Sequence, residues 1–243
     1  MNPIKKFQKE RTQNMARMAQ DTRLKKAMRD FLTHSFAHKY SYNFDWLGRP
    51  IIQYPQDIVA MQELVWRTKP DLIIETGIAH GGSLIFYASL LELLGRGKVV
   101  GIDTDIRAHN KKEIEKHPMS KRIEMIQGSS TDESVVGRVR AIAKRHKKIM
   151  VCLDSLHTHD HVLRELELYA PLVSLGSYMV VFDTIVEELP DSYWSNRPWG
   201  KGANPKTALD VFLKKNKNFE VDKGMDQKLL ITVARGGYLK KIR

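Results

Sequence analysis

The stretch LDSLHTHDHVLREL, residues 153–166, carries an aspartate that is followed by three histidines at alternate positions. Imidazole is a common ligand of zinc and related metals, so His157, His159 and His161 could form the metal cage of a hydrolase. Alternatively, carboxylates hold a metal and one histidine acts as a general base. On a helix, His157 and His161 would share a face while His159 would point elsewhere, so the spacing favours unequal roles for the three histidines.

Several further polar residues follow short apolar runs that have the length of buried strands. The runs DLIIETG, KVVGIDTD, RIEMIQGSS, KIMVCLDS and GSYMVVFDT alternate with segments of helical length. This alternation predicts an α/β fold with a doubly wound, mostly parallel, Rossmann-like sheet. Ligands of such sheets bind beyond the carboxyl ends of the strands. We therefore predict one site from the residues that end these runs, namely Glu75, Asp103, Ser129, Asp154 and Asp183.

The first run continues into a glycine-rich turn, ETGIAHGGS, where Gly77 and Gly81 let the backbone turn sharply beside a ligand. The spacing is not GxGxxG and no Walker lysine follows. Asp103 ends the next strand, where an acid either accepts hydrogen bonds from ribose hydroxyls or caps a helix. These features favour S-adenosylmethionine as the cofactor. We predict that it is bound by Glu75, Gly77, Gly81, Ser83, Asp103, Ser129 and Asp154.

The C-terminal segment KNFEVDKGMDQKLLITVARGGYLKK contains two strand-like runs, FEVD and KLLITVA. After five parallel strands, a terminal hairpin that adds a sixth strand and an antiparallel seventh is typical of class I methyltransferases. An NAD-binding domain ends differently. We therefore predict a seven-stranded sheet with an antiparallel C-terminal hairpin.

The composition excludes several classes of protein. The chain has 243 residues, of which 42% are hydrophobic and 28% charged, and no apolar run is long enough to span a membrane. The first residues lack a signal-peptide core, and a single cysteine, Cys152, excludes an internal disulfide framework, so we expect a cytoplasmic protein. The net charge is +12, but the basic residues are dispersed and no nucleic-acid-binding signature accompanies them, which argues against a nucleic-acid partner.

Residues 1–42 differ from the rest because they are rich in Lys, Arg, Gln and Met at roughly helical spacing. We interpret them as basic amphipathic helices that precede a methyltransferase domain at residues 43–243. These helices could cap the domain, form the contact of a homo-oligomer, or touch an anionic membrane surface. Packing against the domain is the default role. For the protein as a whole we expect a homo-oligomer, and a peripheral membrane contact through these helices stays open.

Seven motifs resemble those of the cephalosporin hydroxylase family and follow one another in the same order. They are NFDWLGRPIIQYPQDIVAMQEL, ETGIAHGGS, GIDTDIR, GSSTD, LDSLHTHDHVLREL, VFDT and PWGKGANPKTALDVFL. The resemblance extends from about Asn43 to Gly236. It implies a class I, S-adenosylmethionine-dependent, metal-requiring O-methyltransferase. Relatives act on antibiotic precursors and on sugars, including rhamnosyl groups and macrolide sugars. No motif identifies the acceptor.

The resemblance also implies roles for particular residues. Asp154 resembles the family's metal-binding aspartate and His157 its catalytic histidine, with Asp183 as the second carboxylate. Hard oxygen ligands suit Mg²⁺ better than zinc. Thr184 lies where catechol-type enzymes place an asparagine ligand, so it is a third candidate. The chain departs from many relatives at Phe182, where they carry a glutamate ligand.

The implied chemistry is methyl transfer to a hydroxyl group of a small-molecule or glycan acceptor. Mg²⁺ would stabilise the developing alkoxide while His157 removes the proton. A long aromatic loop after Asp183, IVEELPDSYWSNRPWGKGANP, is expected to close over the acceptor with Trp194 and Trp199, and Tyr54 is expected to line the same pocket. The alternatives are a nucleotide-binding oxidoreductase, a catalytically silent protein that binds S-adenosylmethionine, and a zinc hydrolase built on HTHDH.

Overall fold

The apolar runs of the sequence form the strands of one large sheet in the computed structural model, which describes residues 2–243. Its strands are β3 (Leu72–Thr76), β4 (Lys98–Asp103), β5 (Ile123–Gln127), β6 (Ile149–Leu153), β7 (Tyr178–Val181), β8 (Phe219–Val221) and β9 (Tyr238–Lys241). A separate small hairpin pairs β1 (Asp45–Trp46) with β2 (Arg49–Pro50). In the sheet the order is β5-β4-β3-β6-β7-β9-β8, and β9 runs in the direction opposite to the other six strands. The predicted fold class is confirmed.

Helices cover both faces of this sheet. They are α1 (Pro3–Gln20), α2 (Thr22–Ala37), α3 (Pro55–Thr68), α4 (Gly82–Leu93), α5 (Ala108–Lys116), α6 (Glu133–Ala143), α7 (His159–Tyr169), α8 (Pro205–Lys215) and α9 (Lys223–Leu229). Side chains of successive strand residues point to opposite faces. Ile73 and Val99 therefore join one buried hydrophobic cluster, while Ile74 and Val100 join the other. Within residues 2–243, no helix has the length and apolar character required to cross a membrane.

The strand order reverses between β3 and β6, which are adjacent and parallel. The chain winds from β3 to β4 and β5 in one direction, and from β6 to β7 in the other. The loops that follow β3 and β6 therefore diverge to opposite sides and leave a crevice at their carboxyl ends. This is the point of the fold where the predicted site residues are expected to meet.

The C-terminal hairpin is built differently from the sequence prediction. FEVD supplies β8, but KLLITVA is not a strand, because residues 223–229 form α9 and the antiparallel partner is β9. Asp222 caps α9 by accepting hydrogen bonds from the backbone nitrogens of Gly224 and Met225. Beyond the helix, the fully buried carboxylate of Asp57 accepts from the Thr232 hydroxyl and the Val233 nitrogen, so these groups do not bond to a strand.

The two N-terminal helices contact the rest of the protein to different degrees. None of the residues of α1 is buried, and Ile4 and Phe7 are 66% and 63% exposed. The second helix, α2, contributes Met28 and Leu32 to the main hydrophobic cluster. The boundary at residue 42 therefore remains a prediction, because α2 shares a core with the residues that follow it.

Candidate active site

The crevice at the carboxyl ends of the strands is a cavity of about 1030 Å³, large enough for a cofactor and an acceptor. Gly77, Asp103, Ser129, Asp154 and Asp183 all line it. These residues end or follow β3, β4, β5, β6 and β7, so the structure brings together residues from five strand ends. A second cavity, of about 780 Å³, lies where β6 and β7 begin and is lined by Lys148 and Tyr178.

Asp154, His157 and Asp183 form a cluster in which one ligand atom of each residue lies within 4.8 Å of those of the other two. It is the one such group of three His, Cys, Asp or Glu residues found among residues 2–243. Nε2 of His157 lies 3.1 Å from Oδ2 of Asp183. Asp183 adopts a left-handed backbone conformation, with φ of 54°. Such strain outside glycine is uncommon and is concentrated at functional sites.

The electrostatics of this cluster favour a cation. Burial, reinforced by the negative charges of Asp183 and Glu75, raises the pKa of Asp154 well above its usual range. The amide nitrogen of Gln53 donates a hydrogen bond of 3.0 Å to Oδ2 of Asp154. Two carboxylates this close repel each other, and a divalent cation between them removes that cost. The donor set of Asp154, Asp183 and His157 can therefore hold a divalent metal.

The residues on either side of Asp183 do not join the cluster. Phe182 is 1% exposed and packs in the main hydrophobic cluster. Thr184 was predicted as a metal ligand, but its hydroxyl donates to the carbonyl oxygens of Val233 and Arg235, at 3.2 and 2.8 Å. Thr184 is 1% exposed and does not line the cavity, so the structure does not bring it to the cluster, and its role as a metal ligand stays a prediction.

The three histidines of HTHDH do not form a cage. His157 precedes α7, which begins at His159 with Thr158 as its N-cap. Nδ1 of His159 lies 2.7 Å from the Thr207 hydroxyl, so this half-buried side chain contacts α8 and points away from His157. His161 contacts Ser130 and Ser155 instead. The three histidines therefore do not provide the ligands that a zinc hydrolase would need.

A buried glutamate that the sequence analysis missed organises the loop between β6 and α7. Glu165 is fully buried, and its Oε1 accepts hydrogen bonds from the hydroxyls of Ser130, at 2.5 Å, and Ser155, at 2.7 Å. Nε2 of His161 lies 3.1 and 3.2 Å from the same two hydroxyls. The spacing of His161 and Glu165 on α7 was the available signal, because residues four apart share a helix face.

The glycine-rich turn after β3 is shaped by the loop that carries Asp154. Gly77 has φ of 92°, and a Cβ atom there would lie 1.9 Å from the carbonyl oxygen of Asp154. No side chain fits in this gap, which explains the glycine. Oδ2 of Asp103 accepts from the backbone nitrogens of Ile78, at 2.8 Å, and Ala79, at 3.4 Å, so Asp103 fixes the turn as well as lining the cavity.

Three residues that were predicted to bind the cofactor lie behind this turn and do not line the cavity. The Ser83 hydroxyl donates a 2.6 Å hydrogen bond to Oε2 of Glu75, which is 1% exposed. Burial raises the pKa of Glu75 to about 8, against the opposing effect of the Ser83 hydrogen bond. Gly81, with φ of 82°, begins α4 in contact with Ile114. The hydrogen bond between Glu75 and Ser83 joins the end of β3 to the start of α4 and so stabilises the turn between them.

Aromatic side chains line the part of the cavity beside His157. The rings of His157 and Trp199 meet edge to face with centroids 4.9 Å apart. Trp194 and Tyr54 line the same cavity, and the Tyr54 hydroxyl lies 3.0 Å from the Ser35 hydroxyl of α2. The indole nitrogens of Trp194 and Trp199 are buried without a hydrogen-bond partner among residues 2–243. Buried N–H groups without a partner are uncommon in native proteins, which marks both tryptophans as residues to test.

Comparisons with known proteins identify the family to which the chain is similar. The family model described as Rhamnosyl O-methyltransferase/CmcI matches residues 38–242. The rhamnosyl O-methyltransferase of Mycobacterium tuberculosis (strain ATCC 25618 / H37Rv) is 28% identical over 214 residues, covering 83% of this chain and 82% of the relative. That of Mycobacterium leprae (strain TN) is 28% identical over 211 residues, covering 83% and 87%.

Solved structures show the same fold. A CmcI structure without ligands is 18% identical and has a TM-score of 0.60, covering 83% of this chain and 77% of the other. A CmcI structure with Mg and S-adenosylmethionine is also 18% identical, with a TM-score of 0.57 and coverage of 83% and 78%.

Proposed function

Because the chain belongs to the Rhamnosyl O-methyltransferase/CmcI family, we propose that it transfers a methyl group from S-adenosylmethionine to a hydroxyl of a sugar or a sugar-bearing natural product. One observation carries the proposal. The cluster of Asp154, His157 and Asp183 lies in the same cavity as the turn at Gly77 and the acid at Asp103. A cavity that combines a turn suited to a nucleoside with carboxylates suited to a metal and a histidine suited to act as a base fits methyl transfer to oxygen.

We propose that the cofactor lies along the turn after β3. S-adenosylmethionine supplies the activated methyl group when it is bound. Gly77 lines the cavity where the turn packs against the Asp154 loop, and Asp103 and Ser129 present oxygens in the cavity for ribose and adenine groups. CmcI has been solved with Mg and S-adenosylmethionine and, separately, with S-adenosylhomocysteine, which supports this assignment by family.

We propose that Asp154 and Asp183 hold Mg²⁺, with His157 beside it. Two observations indicate that these residues suit a divalent cation, namely the raised pKa of Asp154 and the close approach of the three ligand groups. A bound Mg²⁺ stabilises negative charge that develops on the acceptor oxygen. The protein's own contribution is to hold two carboxylates on adjacent strand ends at a fixed separation, so that the ion and the acceptor hydroxyl have one position.

His157 is the proposed general base, and the atom that accepts the proton is Nε2. In the structure this nitrogen lies beside Asp183, and its ring is held against Trp199. An alcohol is a weak acid at neutral pH, so methyl transfer requires that its proton be removed as the oxygen attacks. Of the three histidines, only His157 belongs to the cluster with Asp154 and Asp183. His159 does not line the cavity, and Nε2 of His161 lies within hydrogen-bond distance of the Ser130 and Ser155 hydroxyls, so we do not assign the base to either.

The proposed acceptor is a sugar hydroxyl, and its pocket is the aromatic wall formed by Tyr54, Trp194 and Trp199. Sugars stack against aromatic faces, and an unpartnered indole N–H can donate to a ring hydroxyl. The curated relatives are rhamnosyl O-methyltransferases, so we propose rhamnose-terminated glycosides as the first acceptors to test.

A thermal-shift experiment separates this function from its competitors. The protein is unfolded with S-adenosylmethionine, S-adenosylhomocysteine or NAD, each with and without Mg²⁺, because a ligand that binds only the native state raises Tm. We expect both sulfur cofactors to stabilise the protein and NAD to have no effect. Stabilisation by NAD alone would favour an oxidoreductase. Cofactor binding without transfer to any glycoside would favour the catalytically silent protein.

We also propose that the exposed end of α1 forms a contact outside the monomer, either in a homo-oligomer or at an anionic membrane. Ile4 and Phe7 lie at its free end and are largely exposed. Light scattering and vesicle sedimentation of the wild type and of Phe7→Asp test the two partners separately. A monomer that binds no vesicles contradicts both.

A further inference from the structure

Gln53 reaches the candidate metal site from a distant part of the chain. It lies in the segment between β2 and α3, where its backbone nitrogen donates a 3.0 Å hydrogen bond to the carbonyl oxygen of Ile51. Its side chain is 8% exposed and lines the same cavity as Asp154, His157 and Asp183. No sequence motif marked this residue as part of the site.

The amide nitrogen of Gln53 fixes one oxygen of Asp154. Nε2 donates to Oδ2 at 3.0 Å, and among residues 2–243 this is the one side-chain hydrogen bond to that carboxylate. The opposite orientation of the amide would place its oxygen against a carboxylate oxygen, which is repulsive. The charge of Asp154 therefore determines which end of the amide faces it.

The amide oxygen of Gln53 is buried and has no hydrogen-bond partner in the part of the chain that the structure describes. Burying an unpaired carbonyl oxygen costs free energy, and native proteins rarely retain one without a water, ion or ligand. This oxygen belongs to the same amide group whose nitrogen contacts Asp154, and Gln53 lines the cavity that holds Asp154 and Asp183. A neutral amide oxygen is a suitable ligand for a hard cation.

We infer that Gln53 is an additional residue of the metal site, where its amide nitrogen orients Asp154 and its amide oxygen binds the cation. This inference rests on the proposed function, because it requires the ion. The cation would then have oxygens from Asp154, Asp183 and Gln53, which explains how the site can work although Phe182 supplies no oxygen and the Thr184 hydroxyl bonds elsewhere.

The test is the affinity of the metal-free protein for Mn²⁺, measured by electron paramagnetic resonance without an acceptor. Gln53→Leu should weaken Mn²⁺ binding about 10–100-fold, the scale seen when a group that supports a metal site is removed. Gln53→Glu should bind Mn²⁺ within about threefold of the wild type or more tightly, because it replaces the amide oxygen by a carboxylate. Affinity for S-adenosylmethionine should stay unchanged in both variants.

The matched control is Gln56→Leu. The amide oxygen of Gln56 is also buried and unpaired, but this residue does not line the cavity. Its substitution should leave the Mn²⁺ affinity unchanged, and thermal unfolding of each variant shows whether it folds.

Two results would overturn the inference while leaving the methyltransferase proposal intact. One is a Gln53→Leu variant that binds Mn²⁺ like the wild type. The other is a Gln53→Glu variant that loses as much affinity as Gln53→Leu, which would show that the amide serves only as a donor to Asp154. A wild-type protein that binds S-adenosylmethionine but no Mn²⁺ would overturn the metal centre and this inference together.

Discussion

Nε2 of His157 lies 3.1 Å from Oδ2 of Asp183, and the two residues follow adjacent parallel strands. This proximity places the proposed base directly beside a proposed metal ligand. An acceptor hydroxyl that approaches a cation held by Asp183 would therefore also lie within reach of Nε2 of His157, as a general base requires.

His157→Ala should reduce turnover by about 10²–10⁴, the usual contribution of general-base catalysis, with little change in affinity for S-adenosylmethionine. Steady-state kinetics and calorimetry measure the two quantities. His159→Ala is the matched control, since it removes only a hydrogen bond to Thr207 and should cost about 0.5–1.5 kcal/mol of stability. Equal losses of turnover in the two variants would remove His157 from its assigned role.

Gly77→Ala should weaken both stability and cofactor binding. The added Cβ would lie 1.9 Å from the carbonyl oxygen of Asp154, and φ of 92° is unfavourable for alanine. Gly137→Ala is the control, because its Cβ would meet nothing within 4 Å and alanine favours the helix there, by about 0.5–1 kcal/mol. Urea unfolding of both variants measures the difference. A Gly77→Ala protein as stable as the wild type would contradict the close packing of the two loops.

These two loops also show what could be predicted from the sequence. Alternating apolar runs fix the positions of strands and helices, and parallel strands must bring their carboxyl ends to one edge. The convergence of Asp103, Asp154 and Asp183 follows from that rule. It does not reveal which strand-end side chains face the cavity, so Glu75 was expected at the ligand although the structure buries it against Ser83.

Glu75→Gln should change how stability depends on pH. Burial raises the pKa of Glu75 from 4.5 to about 8, so the native state keeps a proton that the unfolded chain releases between these values. Stability contributed by this proton is present below pH 4.5 and is lost as the pH rises towards 8. Glutamine does not titrate, so Glu75→Gln does not lose this stability as the pH rises. The free energy of unfolding of Glu75→Gln, relative to that of the wild type, should therefore increase by roughly a few kcal/mol between about pH 5 and about pH 8.

Urea titrations at several pH values provide the measurement for Glu75→Gln. The exposed Glu133, at the start of α6, offers a control substitution to glutamine. If the wild type and Glu75→Gln show parallel pH dependence, Glu75 is not the buried titrating group.

Trp199→Phe should raise the KM for a sugar acceptor about 2–13-fold, because one hydrogen bond to the acceptor is worth roughly 0.5–1.5 kcal/mol. The phenyl ring retains the aromatic contact with His157 but lacks the indole N–H, which is unpartnered within residues 2–243. Affinity for S-adenosylmethionine should not change. Trp66→Phe, on the exposed side of α3, is the control and should leave the KM unaffected. An unchanged KM in Trp199→Phe would mean that its N–H does not contact the acceptor.

Other parts of the molecule could not be predicted because they depend on contacts between distant residues. Gln53 and Asp154 meet only after the sheet forms, and no local pattern indicates their hydrogen bond. KLLITVA has the composition of a strand, but Thr232 and Val233 donate hydrogen bonds to the buried carboxylate of Asp57. The antiparallel strand is formed instead by residues Tyr238–Lys241. Tertiary contacts override local propensity in such segments.

The most direct test of the proposed function is methyl transfer from labelled S-adenosylmethionine to a rhamnose-terminated glycoside by metal-free protein. We predict that protein treated with EDTA still binds the cofactor but transfers no methyl group, and that added Mg²⁺ restores transfer. In Asp183→Asn, added Mg²⁺ should not restore it, because a neutral amide is a poorer ligand for a hard cation than a carboxylate. Undiminished transfer by exhaustively chelated wild-type protein, or by Asp183→Asn, would contradict a metal-dependent methyl transfer at this site.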